Sequence, residues 1–105
     1  MSKKPVITFE QQQVVVAERA VIWQQAETHR NRMRAELNAM YTTYFRAYGF
    51  PYEDRRKRIN PDDPAFDGVV EFTAGAYQRY SQARYDSTAA KRKLRQAIMA
   101  LERAV

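Results

Sequence analysis

The stretch TFEQQQVVVAERAVIWQQAETHRNRMRAELNAMYTTYFRAY, Thr8 to Tyr48, decides the architecture. It holds neither proline nor glycine, the two residues that most strongly break helices. Within it Ile22, Ala26, His29, Met33, Leu37, Met40, Tyr44 and Tyr48 follow in steps of three or four, the spacing of one stripe along an α-helix. At 1.5 Å per residue such a helix is about 60 Å long, more than a small compact domain requires. A helix of that length needs a second long helix to cover its stripe, from the same chain or from a copy of it.

Working outward, Thr8 and Gln11 have the spacing of a capping box, so helix 1 is expected over 8–48, after a short basic arm at 1–7. The first third of the helix is apolar on more than one side, with Val14, Val15 and Val16 followed by Val21, Ile22 and Trp23. A strand at 14–16 is the competing reading, because valine favours strands. The surrounding glutamines, alanines and Glu18 argue for helix. Past Glu27 the reverse face turns polar. There Arg30 and Arg34 share a side, and Arg32 stands one turn from Glu36, at pairing distance.

Gly49 is placed to end helix 1, and Pro51 prevents its continuation. The segment 49–63 is then a basic turn carrying Arg55, Arg56, Lys57 and Arg58. It runs into Asn60-Pro61-Asp62-Asp63-Pro64, a helix-start signal of capping side chains, proline and carboxylates. Helix 2 is expected over 64–104. In it Val69, Thr73, Ala76, Tyr80, Ala83, Ser87, Ala90, Leu94, Ala97, Leu101 and Ala104 alternate steps of four and three, a coiled-coil repeat. Most are small, so a facing helix can come close. Val70, Tyr77, Ile98 and Val105 widen the stripe. Gly68 and Gly75 spend helix propensity on one side, as a close approach would require.

The expected fold is all-α. It is a single domain over 1–105, an antiparallel hairpin of two long helices that assembles as a homo-oligomer, a dimer or higher, into a four-helix or larger bundle. A chain of 105 residues buries only a modest core alone. The apolar surround of Val14 to Trp23 also exceeds what one facing helix covers. A broken helix would give a more compact bundle.

The net charge is +6, with 18 Lys and Arg against 12 Asp and Glu, and Arg makes up 13 of those cations. Arginine's planar fork suits phosphate and carboxylate alike, so an anionic partner is indicated without being named. With no cysteine, disulfides and thiolate metal sites are excluded. No apolar run reaches membrane-span length, and Met1 to Pro5 is not followed by a signal-peptide core, so a soluble cytoplasmic protein is expected.

Three features bear on function. Of 13 aromatic residues, 11 fall between Tyr41 and Tyr85. Most suit a core at the turn end, but Tyr41, Tyr52 and Tyr85 lie off both stripes and are free to stack. Basic runs occupy Arg55–Arg58 and Lys91, Arg92, Lys93 and Arg95, either as phosphate contacts or as solvated charge. His29 is the only histidine, and on the apolar stripe it reads as packed against a neighbouring helix. It has no partner for a metal site or a triad. No cofactor site and no catalytic constellation is visible.

Two functions stand ahead of a purely structural assembly role. One is sequence-nonspecific binding of DNA or RNA, single-stranded in the first instance, with Arg55, Arg56, Lys57 and Arg58 on phosphate. Arg30 and Arg34, or Lys91, Arg92, Lys93 and Arg95, would assist, and Tyr52 or Tyr85 would stack. The other is an accessory or inhibitor protein of the phage or mobile-element type, docking on the acidic surface of another protein, such as a nucleic-acid-processing complex, with Tyr and Arg as its hot spots.

Overall fold

Thr8 opens the first helix with the reciprocal bonds of a capping box. Its backbone N–H donates to Gln11 Oε1 at 2.9 Å, and the Gln11 N–H donates to Thr8 Oγ1 at 3.1 Å. The computed structural model describes residues 7–104, so the arm expected at 1–7 lies almost wholly outside the described residues. From Phe9 the chain runs as helix α1 to Tyr48 without interruption, through the valines that competed for a strand. Gly49 ends it at φ 77°, a left-handed conformation that glycine adopts without steric cost, and its N–H donates to Phe45 O at 2.8 Å. Asp63 caps the return: its Oδ1 accepts from the Ala65 N–H at 3.0 Å, and Pro64 stands at the first helical position. A single 3-10 turn, Pro64–Phe66, leads into helix α2, Asp67–Arg103. Neither helix is broken. No helix among the described residues is long and apolar enough to cross a membrane.

The two helices pack against each other, and the chain divides into two units: residues 7–29 with 84–104, and Arg30–Ala83. In the first unit Gln12 Nε2 donates to the Ala97 carbonyl at 3.0 Å, and Ser87 Oγ donates to Glu27 Oε1 at 2.5 Å. In the second, Arg79 Nη2 meets Glu36 Oε1 at 2.5 Å, and the Tyr44 ring lies 5.7 Å from that of Phe72. Low numbers on α1 meet high numbers on α2, so the helices run antiparallel in each unit.

The α2 seam follows its sequence period. Val69, Thr73, Ala76, Ala83, Ser87, Ala90 and Ala97 are buried, with Tyr80 and Leu94 half-buried between them and Leu101 after them, whereas Ala104, the last of the expected stripe, is exposed. Thr73 satisfies its hydroxyl on its own helix by donating to Val69 O at 2.7 Å. Of the widening residues Val70 is half-buried, Tyr77 and Ile98 face solvent, and Val105 lies outside the described residues. Gly68 is a close approach, because a Cβ there would stand 2.0 Å from Tyr44 Oη. Gly75 is not: its nearest neighbour is the mobile end of Arg79 on its own helix, at 3.4 Å.

On α1 the buried stripe is rotated from the expected one. Leu37 is buried, and Trp23, Ala26, Arg30, Met33, Met40 and Tyr44 are half-buried. Ile22 and Tyr48 are exposed, and so is His29, which corrects the expectation that it packs on a neighbouring helix. The stripe also takes in Gln12, Arg19, Glu27 and Glu36, all half-buried, and the heads of three of them meet α2: Gln12 on the Ala97 carbonyl, Glu27 on the Ser87 hydroxyl and Glu36 on Arg79. Glu36 thus meets Arg79 rather than Arg32.

Candidate nucleic-acid interface

Gly49 reverses the chain so that Phe50 folds back against α1. Its ring lies 5.0 Å from Phe45 and 5.9 Å from Phe66, the most deeply buried aromatic of the second unit. This ring cluster anchors the basic turn, whose own backbone closes through the Lys57 N–H to Asp54 O at 3.2 Å and the Asp63 N–H to Asn60 O at 3.1 Å. Between the turn and the last turns of α1 lies an open groove of about 880 Å³. Its floor is apolar and aromatic, formed by Tyr41, Phe45, Phe50 and Ile59. Its rim is cationic: Arg46 on the helix side and Arg55, Arg56, Lys57 and Arg58 on the turn side. No carboxylate lines it.

Only part of the rim charge is answered within the chain. Arg56 Nε pairs with Asp54 Oδ1 at 3.2 Å, but both side chains are largely exposed (94% and 54%), so the pair contributes little. Lys57 Nζ stands 4.0 Å over the Tyr52 ring, a cation–π contact. Arg55 and Arg58 make no ion pair among the described residues. Like charges held this close raise one another's energy and favour an anion on the rim.

Tyr52 positions the turn. Its hydroxyl donates to Asp63 Oδ2, and its ring lies 5.7 Å from Phe66. Asp63 is therefore held below the usual carboxylate range, first by the Tyr52 hydroxyl, then by the Ala65 N–H, with the Lys57 charge adding. The Tyr52 phenol is pushed up by the same hydrogen bond and by partial burial beside that carboxylate. With one face under Lys57 and its hydroxyl taken, Tyr52 holds the turn rather than offering a free stacking surface. Tyr41 lines the groove.

The remaining sequence candidates are not among the residues that line this groove. Arg34 is exposed on α1, while Arg30 is half-buried and already engaged within the chain. Tyr85 is 67% exposed in the first unit. The C-terminal run does not form one patch: Lys91, Arg92 and Arg95 border one hollow with Thr88, whereas Lys93 lines another with Arg19 and Asp86. Phe45, Arg46, Phe50 and Ile59 are groove residues that sequence reasoning missed. Arg46 reads as a cation answering the helix dipole, and Phe50 as a residue of the turn, and only the reversal at Gly49 brings them together. No group of three or more His, Asp or Glu side chains placed to hold a metal occurs among the described residues. Compared with known protein families, curated proteins and solved structures, the chain matches none.

Proposed function

We propose that this protein binds single-stranded nucleic acid, without strong sequence preference, in the groove between the basic turn and the end of α1. One observation carries this: cations on the rim of an aromatic floor, with no carboxylate among the residues that line it. Phosphates would sit on Arg46, Arg55, Arg56 and Arg58, and bases on Tyr41, Phe45 and Phe50, the division of labour by which sequence-tolerant strand binding works. The role is binding without catalysis, since the titratable groups of the groove are arginine, lysine and tyrosine alone. We also hold to a homo-oligomer, which the exposure of Val14, Val21, Ile22 and Met99, each between 48% and 57%, supports.

Docking on another protein is the second reading, favoured by a different hollow in the second unit. There Tyr44, Tyr48 and Phe72 stand beside Glu71 with no cation in the lining.

Fluorescence anisotropy of labelled single- and double-stranded oligonucleotides, titrated at several salt concentrations, tests the proposal. The single strand should bind more tightly, with log affinity falling linearly in log salt at about −0.7 per phosphate neutralised. Replacing Arg55, Arg56, Lys57 and Arg58 by alanine removes three of the four phosphate contacts and should flatten that slope by about 2. Absence of binding at low salt, or an unchanged slope in the variant, overturns it.

A further inference from the structure

Beside the α1–α2 seam of the first unit, Arg19 and Ile22 of α1 and Asp86, Ala89, Ala90 and Lys93 of α2 surround an open hollow of about 280 Å³. Ile22 is 48% exposed there, level with the two alanines. Asp86 and Lys93 stand one heptad apart on the same side of α2, one before and one after Ala89. Along α2 on this face the order is therefore carboxylate, small residue, ammonium, with Arg19 of α1 a second cation of the lining; Asp86 is engaged within the chain as well, and a carboxylate's two oxygens accept more than one partner.

That order is self-complementary under one symmetry operation. Turning a second copy about a two-fold axis that passes beside Ala89, perpendicular to α2, lays the two α2 helices antiparallel. Asp86 of each copy then faces Lys93 of the other. The small Ala89 stands where the backbones come closest, and Ile22, at the level of the axis, adjoins its own counterpart. A parallel arrangement would set Asp86 on Asp86 and Lys93 on Lys93. Two-fold contacts require a patch that complements itself, and along α2 this one does so in charge and in size.

We infer that two copies of this chain associate through this face, with Ile22 and Ala89 at the centre and two symmetric Asp86–Lys93 pairs fixing the antiparallel register. The inference rests on the homo-oligomer part of the proposed function and is independent of nucleic-acid binding. Apolar contact supplies the association, while the charge pairs select the register.

Sedimentation equilibrium of the full chain, with its charge variants, decides the matter. The wild type should form a dimer. Asp86→Lys and Lys93→Asp, each setting like charges opposite one another twice, should raise the dimer dissociation constant about tenfold or more, and the combined D86K/K93D variant should recover it. Because the chain has no cysteine, Ala89→Cys places a single thiol beside the axis. Under mild oxidation it should give a covalent dimer, as Thr88→Cys, turned away from the axis, should not, since a disulfide needs Cα atoms within about 7 Å. A monomer at all concentrations would defeat the homo-oligomer and this face with it. A dimer indifferent to the charge exchange, with no cross-link at Ala89→Cys, would leave the oligomer standing and remove this face alone.

Discussion

Substituting Gly68 by alanine sets two effects of known size against each other. Alanine gains helix propensity over glycine by up to about 1 kcal/mol, and by less this close to the start of α2. Against that, the new Cβ would lie 2.0 Å from Tyr44 Oη, so the ring must retreat by about 1.5 Å to reach ordinary contact. The ring has neighbours on several sides, with Tyr48 at 4.8 Å, Phe72 at 5.7 Å and Phe45 at 5.8 Å between centroids. Overpacking of this kind costs about 1–3 kcal/mol, so Gly68→Ala should destabilise by about 1 kcal/mol net. Tyr44→Phe removes the colliding oxygen and leaves the ring carbon Cζ at 3.1 Å, a contact that a few tenths of an ångström relieve. In that background Gly68→Ala should be neutral or stabilising, a coupling of about 1–2 kcal/mol between the two sites. Urea unfolding of the four proteins, followed by circular dichroism at one protein concentration, measures the cycle. An equal loss in both backgrounds, or a gain from Gly68→Ala in the wild type, would refute the close approach.

Two further outcomes are expected. Leu37→Ala removes the one buried side chain of α1, at 5% exposure, and should lower stability by about 2–4 kcal/mol with little change in m; a loss below about 1 kcal/mol would mean that the seam does not rest on it. Tyr52→Phe should destabilise most at intermediate pH. Asp63, held below its usual 3.8, contributes stability that is present above that value and lost as pH falls through the lower folded one. Tyr52, raised above 10.0, contributes stability present below that value and lost as pH rises through the higher folded one. The melting-temperature difference between wild type and variant should therefore shrink at both ends, and a difference flat with pH would exclude the Tyr52–Asp63 bond.

The helices, their caps and the α2 seam could be read from the chain because each rests on local chemistry. Thr8 with Gln11, Gly49, and Asp63 with Pro64 are signals within four residues, and the α2 heptad is an unbroken period. The face of α1 was less legible. Its first third is apolar on several sides, so periodicity alone could not choose between Ile22 and Trp23. The true stripe also includes Arg30, Glu27 and Glu36, which a hydrophobic pattern excludes. Their burial depends on the small residues opposite, a property of α2 rather than of α1. Of the candidate interface, the cluster Arg55–Arg58 stood out as a charge run. Its floor did not, because Tyr41, Phe45, Phe50 and Ile59 meet only through the reversal at Gly49. Tyr52 looked free because its tie to Asp63 spans 11 residues of irregular chain.

The alanines that recur every seven residues along α2, at 76, 83, 90 and 97, have a thermal consequence. Unfolding raises heat capacity chiefly by wetting apolar surface, at about 0.45 cal/mol/K per Å², while newly wetted polar surface lowers it. An alanine methyl hides little such surface, so these four positions add little to the increment, and most of what is hidden belongs to Trp23, Met33, Leu37, Met40 and Tyr44 of the opposing stripe. The heat-capacity increment of this seam is accordingly smaller than leucines at those four positions would give. Stability held by backbone proximity in this way varies gently with temperature, giving a broad, shallow curve in place of a sharply peaked one.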